Sequence, residues 1–279
     1  MKFVKMHGTG NDYVYVDLFR EKVADPVAAA QALSHRRFGV GGDGLILIKP
    51  REGADGEMVM FNADGSTSEM CGNGLRCVAK YVHDHYARGK DELKLMTGAG
   101  WRLARVARRD AAGNADLIRI DMGEPVWQGL KIPTTLDLPE VLERTLEAGG
   151  RTFTFSSVSM GNPHCVIYVD DVARFPVETY GPLIETHPLF PRKVNVEFVQ
   201  VVGPSEVIQR TWERGSGETW ACGTGASAVA AVGRRLGKTG AELTIHLTGG
   251  DLRLEYAGQG SVFMTGNAVE VFSGEWPGA

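Results

Sequence analysis

The sequence has no long apolar run: none of its hydrophobic stretches approaches the roughly 20 residues that a membrane-spanning helix needs. Its N-terminus also lacks the uninterrupted apolar core of a signal peptide, so we expect a cytoplasmic protein. Positive charge is not in excess, since the net charge is −4 and the pI is about 6.0. The composition therefore favours neither a nucleic acid nor a membrane as partner, and it leaves small polar molecules open.

Cysteine is scarce. The chain has four cysteines, too few for a disulfide framework, and we expect them to be thiols in a reducing compartment. Cys71 and Cys77 are separated by five residues, and no C-x-x-C pair occurs, so we expect no metal site. We expect Cys77 and Cys165 to be core residues, because Cys77 falls on the apolar side of a predicted helix and Cys165 begins a predicted strand.

The remaining composition is that of a folded globular protein. Apolar residues make up 43% of the chain and charged residues 23%, and 279 residues are enough for two domains with separate cores. Glycine is abundant, at 36 residues, which predicts many tight turns and short strands.

Two stretches, 61–81 and 212–232, share one pattern. Each is a polar, glycine-rich segment that leads to a cysteine, Cys71 or Cys222, followed by two glycines with one polar residue between them and then a helical pattern. Backbone N–H groups at such a helix start can approach an anion closely. The positive end of the helix is also expected to lower the pKa of the cysteine, which would make it a base near neutral pH.

The two stretches belong to a longer repeat. Asn11 lies 60 residues before Cys71, and Asn162 lies 60 residues before Cys222, so the halves share a register at an offset of 151. We therefore predict duplicated domains, one comprising 1–122 with the strand 268–279 returning to it, and one comprising 123–267.

The predicted fold class is α/β of the α+β type. We expect two pseudo-symmetric domains, each a curved, mostly antiparallel sheet or barrel around a central helix, with the active site in the interdomain cleft. The first domain's central helix should run from Cys71 to about Tyr86, and a further helix is predicted at 26–37. The stretch 139–150, PEVLERTLEAGG, is predicted to be a surface helix capped by glycine.

Two bases on opposite faces of one carbon are what stereoinversion requires. One thiolate would remove an α-proton while the other thiol donates a proton to the opposite face. General acid–base catalysis alone supplies about 10²–10⁴-fold, so electrostatic stabilisation of the anionic intermediate must contribute most of the acceleration. We expect the domains to close over the substrate, which would exclude water from the thiolate.

At this point the motifs resemble a known family. The segments FVKMHGTGND, FNADGSTSEMCGNGLRC, MGNPH and ERGSGETWACGTGASA are similar to the signature segments of diaminopimelate epimerases, and they span both halves of the chain. The resemblance implies interconversion of LL- and meso-2,6-diaminopimelate in lysine and peptidoglycan precursor synthesis. It also implies a homodimer that uses neither pyridoxal phosphate nor a metal.

The resemblance assigns roles to single residues. Cys71 and Cys222 match the catalytic cysteines, and His164 and Glu213 match residues that tune them. The substrate-binding positions are Asn11, Asn62, Gly72, Asn73, Asn162, Asn195, Glu213, Arg214, Gly223 and Thr224. One position departs from the pattern: some members have a glutamine where this chain has Gly44, so a water or backbone group must replace that contact.

Other interpretations remain open at this point. A racemase of proline or hydroxyproline, or another isomerase of the same fold, would also use paired cysteines, although Arg214 favours a substrate with a second charged end. A redox protein with a reversible disulfide and a pure binding module are further alternatives. Asn11 and Asn162 could be turn formers, and Arg76 could be a structural ion-pair partner on its helix.

Overall fold

A computed structural model describes residues 1–68 and 70–277. Within these residues the chain forms four α-helices and eighteen β-strands. The helices are α1 (Pro26–Ser34), α2 (Gly72–Tyr86), α3 (Val177–Glu185) and α4 (Gly223–Arg235). The strands of the first half are β1 (Lys2–Gly8), β2 (Asn11–Asp17), β3 (Gly44–Lys49), β4 (Gly56–Asn62), β5 (Thr67–Ser68), β6 (Glu92–Thr97), β7 (Gly100–Arg109) and β8 (Ala115–Gly123). Those that follow are β9 (Val141–Ala148), β10 (Arg151–Ser159), β11 (Pro163–Tyr168), β12 (Asn195–Gly203), β13 (Glu206–Glu213), β14 (Gly217–Thr219), β15 (Glu242–Leu247), β16 (Gly250–Glu255), β17 (Val262–Asn267) and β18 (Val269–Glu275).

The chain divides into two compact units. The first comprises Met1–Asp121 and the C-terminal segment from Thr265 onward, and the second comprises Met122–Met264. In the first unit β18 pairs with β1, so the end of the chain completes the sheet that its beginning starts. The second unit is one continuous segment.

Both units contain the same series of strand pairings. In the first, β1–β2, β3–β4, β4–β5 and β6–β7 are antiparallel, whereas β2–β3 and β4–β6 are parallel. In the second, β10–β11, β12–β13, β13–β14 and β15–β16 are antiparallel, whereas β11–β12 and β13–β15 are parallel. Antiparallel pairs therefore predominate in both sheets.

The register of these pairings repeats at the offset of 151 found in the sequence. Leu45 pairs with Phe61 in the first unit, and Val196 pairs with Trp212 in the second. The parallel pairs also correspond, because Val14 is opposite Leu45 and Cys165 is opposite Val196. Residues 151 positions apart consequently occupy equivalent places in the two units.

Helices α2 and α4 are the most deeply buried helices of their units. α2 packs against β1, β2, β4, β6 and β7, and it buries its apolar face, including Leu75, Val78 and Val82. α4 packs against β10, β11, β12 and β16, and every residue from Gly223 to Gly233 is buried. Alanine and glycine predominate in α4, and such small side chains allow strands to approach it closely on several sides.

Each unit has an apolar core of its own. The first unit's core includes Phe3, Val14, Leu33, Leu45 and Phe61, which come from β1, β2, α1, β3 and β4. The second unit's core is richer in aromatic rings: Phe153, Phe155, Phe175, Phe190 and Phe198 are all buried in it.

The predicted fold class, mixed α/β with a largely antiparallel sheet in each unit, is confirmed. The helix predicted to follow Cys71 is also confirmed, since α2 begins at Gly72 and ends at Tyr86. The helix predicted at 26–37 exists but ends at Ser34, because His35 adopts an extended conformation. A second helix in the other unit, α3, was not predicted.

The surface helix predicted at 139–150 is wrong. Residues Val141–Ala148 form β9, which pairs with β10 in antiparallel register. Gly149 and Gly150 have φ values of +57° and +74°, so they form the two-residue turn of a β-hairpin rather than a helix cap. Strand pairing thus outweighs the helical propensity of the sequence ERTLEA.

No helix within residues 1–68 and 70–277 is both long enough and apolar enough to cross a membrane.

Candidate active site

Cys71 occupies the N-cap position of α2. Its backbone is extended, and its Sγ accepts a hydrogen bond from the Gly74 N–H at 3.3 Å. Thiol sulfur thereby takes the place of the serine or aspartate oxygen that usually caps a helix. Gly72 and Asn73 follow as the first two helical residues, and both are buried. Their N–H groups belong to the helix end that attracts negative charge.

Asn11 links Cys71 to a carboxylate. The Cys71 thiol donates to Asn11 Oδ1 at 3.4 Å, and Asn11 Nδ2 donates to Asp43 Oδ2 at 2.7 Å. Burial raises the pKa of Asp43, and the negative charge of Asp12 raises it further. Arg36 bonds both carboxylates, at 2.8 Å to Asp12 and 2.9 Å to Asp43. The side chain of Asn11 is therefore fixed by its hydrogen bonds with Cys71 and Asp43, in addition to the turn that precedes β2.

Cys222 occupies the equivalent N-cap position of α4. Its Sγ accepts from the Gly225 N–H at 3.3 Å and lies 3.5 Å from Thr224 Oγ1. Burial raises the pKa of the Cys222 thiol well above its usual value, and the carboxylates of Glu213 and Glu197 raise it further. The hydrogen bonds with Thr224 and the Gly225 N–H lower the pKa, but by less than burial and the two carboxylates raise it. The prediction that the helix end lowers the cysteine pKa is therefore wrong for Cys222, because burial and nearby negative charge outweigh it.

A buried chain of hydrogen bonds leads away from Cys222. Asn162 Nδ2 donates to Thr224 Oγ1 at 3.2 Å, and Asn162 Oδ1 lies 2.8 Å from His164 Nε2. The other ring nitrogen, His164 Nδ1, lies 2.8 Å from Glu197 Oε1. Both His164 and Glu197 are fully buried.

Asn195, Glu213 and Arg214 lie at adjoining strand ends of the second unit. Asn195 is opposite His164 in the parallel β11–β12 pair. Its side-chain amide donates to the Pro163 carbonyl at 2.9 Å, and its Oδ1 accepts from the Arg214 N–H at 2.9 Å. Asn195 therefore fixes the start of the loop that carries Arg214.

Asn62 has the same place in the first unit that Glu213 has in the second. It ends β4 opposite Gly44, and its Nδ2 donates to Ser66 Oγ at 2.9 Å. A Cβ at Gly44 would lie 2.1 Å from the Phe61 carbonyl oxygen and 2.7 Å from the Tyr13 ring. The close approach of β3 to β4 therefore leaves no room for any side chain at Gly44.

Three further residues named in the sequence analysis, Cys77, Cys165 and Arg76, are buried outside the candidate site. Cys77 and Cys165 are fully buried, as predicted for core residues. Arg76 is also fully buried: its Nε donates to the Asn267 carbonyl at 3.0 Å and a terminal nitrogen donates to Thr9 Oγ1 at 2.7 Å. Arg76 thus joins α2 to the β1–β2 turn and to the C-terminal return of the chain.

Two carboxylates at the site were missed by the sequence reasoning, Asp43 and Glu197. Asp43 immediately precedes the buried strand β3 and gave no distinct signal. Glu197 could have been found, since it is the single charged residue in the otherwise uncharged strand β12 and its equivalent in the repeat is an isoleucine, Ile46. Within residues 1–68 and 70–277, no group of three His, Cys, Asp or Glu side chains is arranged to hold a metal ion.

A family model described as diaminopimelate epimerase matches residues 3–128 and 156–271. The chain belongs to the diaminopimelate epimerase family. A diaminopimelate epimerase of Agathobacter rectalis is 49% identical over 283 residues, which cover 99% of each chain. One from Leptospira biflexa is 49% identical over 276 residues, which cover 99% of this chain and 98% of the relative. Membership of this family identifies the protein as an enzyme, an epimerase of the isomerase class.

Solved structures share the fold at much lower sequence identity. A probable proline racemase of Agrobacterium radiobacter superposes with a TM-score of 0.70 at 16% identity, covering 100% of this chain and 93% of that one. At this identity the likeness shows the fold alone. The wider fold thus includes proteins named for other substrates, whereas the sequence places this chain among the diaminopimelate epimerases.

Proposed function

We propose that this epimerase interconverts LL- and meso-2,6-diaminopimelate by a two-base mechanism in which Cys71 and Cys222 are the bases. The observation that carries the proposal is the equivalence of the two cysteines. Each caps the first turn of the most buried helix in its unit, and each accepts an N–H bond at 3.3 Å. Cys71 bonds the repeat asparagine Asn11 directly, and Cys222 is connected to Asn162 through Thr224. The names of the family and of its relatives supply the substrate.

The reaction needs one base on each face of the α-carbon. In one direction a thiolate removes the α-proton and becomes a thiol, while the opposite thiol gives its proton to the other face and becomes a thiolate. In the reverse direction the roles are exchanged. For this, both sulfurs must reach one α-carbon of the bound substrate, and water must be kept away from the thiolate.

The helix ends stabilise the carbanion. Negative charge spreads from the α-carbon into the substrate carboxylate, and the N–H groups of Gly72, Asn73, Gly223 and Thr224 bind it. Because these groups are fixed in place before the reaction, they need no reorganisation when charge develops. The remaining predicted residues bind the polar ends of the substrate: Asn11, Asn62, Asn162, Asn195, Glu213 and Arg214. His164 and Glu213 tune the cysteines.

The reaction requires no pyridoxal phosphate and no metal, because the thiol pair moves the proton and the helix ends take up the charge. We place the enzyme in the cytoplasm, in the synthesis of lysine and peptidoglycan precursors, and we propose that it acts as a homodimer. In support of the dimer, Val271 and Phe272 of β18 are about half exposed, at 53% and 49%. Light scattering coupled to gel filtration would measure the oligomeric state.

The test is deuterium incorporation at the α-carbon of LL-diaminopimelate in D₂O, under reducing conditions, with EDTA and without pyridoxal phosphate. The wild-type enzyme should form meso product that carries deuterium at the inverted centre. Cys71→Ala and Cys222→Ala should each abolish inversion. Cys77→Ala, which removes a buried thiol from the same helix as Cys71, should retain it.

Two results would reject the proposal. One is the absence of both inversion and exchange in the reduced wild-type enzyme. The other is racemisation of proline or hydroxyproline by an enzyme that leaves diaminopimelate unchanged, because this would identify the protein as a racemase of the same fold.

A further inference from the structure

The two cysteine sites are equivalent in backbone but not in the residues that surround them. At the offset of 151, Glu197 of the second unit corresponds to Ile46 of the first, and His164 corresponds to Tyr13. The neighbouring strand shows the same exchange, since Gln209 and Thr211 correspond to Met58 and Met60. Only the second unit therefore has a polar, ionisable cluster at this place.

Glu197 is the centre of that cluster and is held rigidly. One carboxylate oxygen accepts from Thr211 Oγ1 at 2.6 Å and from Gln209 Nε2 at 2.8 Å, and the other faces His164 Nδ1. The carboxylate also packs against the first turn of α4, because a Cβ at Gly225 would lie 2.5 Å from Glu197 Oε1. In the first unit the equivalent Gly74 is covered by the apolar Ile46 Cδ1.

His164 has an oxygen atom at each of its ring nitrogens. Nδ1 faces the Glu197 carboxylate, which only accepts hydrogen bonds, and Nε2 faces Asn162 Oδ1, both at 2.8 Å. An imidazole can donate from both nitrogens only when it is protonated. With Asn162 Oδ1 at Nε2, the ring would donate at both nitrogens only as the imidazolium ion, and the buried carboxylate of Glu197 would then be its counter-ion.

The orientation of Asn162 carries the effect to Cys222. With Oδ1 toward His164, Nδ2 donates to Thr224 Oγ1, and the threonine hydroxyl hydrogen is then free to point at Cys222 Sγ. With a neutral His164, the amide can turn over, donate to Nε2 and accept the threonine hydrogen, which removes the donor from the sulfur. The Asn162 amide thus couples the direction of the hydrogen bond at His164 to that of the hydrogen bond at Thr224, and it neither gains nor loses a proton.

We propose that Glu197 is a positioning residue that holds His164 as the imidazolium ion, so that Asn162 directs the Thr224 hydroxyl hydrogen to Cys222 Sγ and stabilises the thiolate there. The proposal rests on the assignment of Cys222 as a base. The other charged group facing this sulfur is Glu213, which opposes the thiolate, so the relay offsets that opposition. The equivalent position beside Cys71 holds Ile46, and the two bases are therefore unequal before substrate binds.

The first test is the protonation state of His164, measured by ¹⁵N NMR of the imidazole ring and assigned among the seven histidines with a His164→Gln variant. The wild-type ring should be imidazolium at pH 7 and Glu197→Gln should make it neutral. Glu185→Gln is the matched control, since Glu185 is a buried carboxylate of the same unit that bonds Trp212, Lys193 and Gly215 instead. A neutral His164 ring in the wild-type protein at pH 7 would overturn the proposal.

The second test is the reactivity of Cys222 toward iodoacetamide at one alkaline pH, with Cys71 in the same molecules as the reference, both read by peptide mass spectrometry. Thr224→Val should lower the Cys222 rate about tenfold, the effect of one hydrogen bond to a charged sulfur. Thr224→Ser, which keeps the hydroxyl, should restore it, and His164 should stay imidazolium in both variants. An unchanged rate in Thr224→Val would show that no relay reaches the sulfur.

Alkylation of Cys222 in the Glu197→Gln variant shows whether Glu197 acts through the hydrogen-bond relay or only through its negative charge. Loss of the relay slows alkylation of Cys222, whereas loss of a simple negative charge speeds it, so a faster rate would refute the role given to His164 and Asn162. Neither test contains substrate. The two proposals can therefore fail separately. If the relay is refuted, the wild-type enzyme can still invert diaminopimelate; if inversion is not observed, the measurements on His164 and Cys222 remain valid.

Discussion

Replacing Gly225 with alanine should destabilise the protein, whereas the same change at Gly74 should be nearly neutral. A Cβ at Gly225 would lie 2.5, 2.6 and 2.7 Å from Oε1, Cδ and Oε2 of Glu197. The carboxylate cannot withdraw, because Thr211, Gln209 and His164 hold it. Overpacking costs about 1–3 kcal/mol, and displacing the buried carboxylate from its hydrogen-bond partners costs about 1–3 kcal/mol more. Alanine returns at most about 1 kcal/mol of helix propensity.

The matched position shows what overpacking alone would do. At Gly74 the new Cβ would meet Ile46 Cδ1 at 2.7 Å, and that atom is the end of an apolar side chain that can rotate away. The cost there should be about 1 kcal/mol, offset by a similar gain in helix propensity. Urea unfolding of both variants measures the difference, which we expect to be at least about 2 kcal/mol. If Gly225→Ala and Gly74→Ala cost the same, Glu197 is not fixed against α4 in the way described.

Two further outcomes follow from buried polar contacts of the first unit. Arg76→Lys cannot reach both the Asn267 carbonyl and the Thr9 hydroxyl, so we expect a loss of about 1.5–3 kcal/mol in urea unfolding, the contribution of a hydrogen bond from a charged group. Leu75→Met, a volume-conserving change beside it, should cost less than about 1.5 kcal/mol. Equal losses would show that the arginine contacts add nothing. Although burial raises the pKa of Asp84, its hydrogen bonds with Lys80, Ala115 and His83 hold that pKa below the usual 3.8. Because its folded-state pKa is depressed, its contribution is present above about pH 4 and is lost as the pH falls through the folded value. Asp84→Asn should therefore destabilise the protein at pH 7, and this loss should shrink as the pH falls below about 4. A difference independent of pH would contradict the charged role of Asp84.

Local signals in the sequence were enough to predict the helix that begins at Gly72 and the repeat that relates the two halves. Both depend on residues close together in the chain: a capping position, glycines, and apolar residues at helical spacing. The same offset of 151 relates Asn62 to Glu213, and the structure places both at the end of the equivalent strand, because strand pairing preserves a register once one face of each sheet is buried.

The strand Val141–Ala148 was missed although its signal is local. Its partner β10 begins directly after Gly149 and Gly150, and this two-glycine hairpin turn was interpreted as a helix cap. Other features depend on the folded chain. The pKa of Cys222 is raised by burial, by Glu213 of the same stretch and by Glu197, which is 25 residues away in the sequence. A helix end is a local feature, whereas burial and facing charges are properties of the folded chain, so the sequence predicted the smaller effect and missed the larger ones.

The return of the C-terminus to the first unit has a consequence for synthesis on the ribosome. Met1 donates to the Trp276 carbonyl at 2.9 Å, and Asn267 accepts from the Thr9 N–H at 3.1 Å and from Arg76. The unit that emerges first therefore lacks one strand of its sheet, β18, and the Asn267 partner of Arg76 on α2 until residues 267–276 have been translated. The second unit is contiguous and can fold earlier. The unit that contains Cys71 is thus completed after the other one, and a truncation that removes residues 267–276 would disrupt the half of the protein that is translated first.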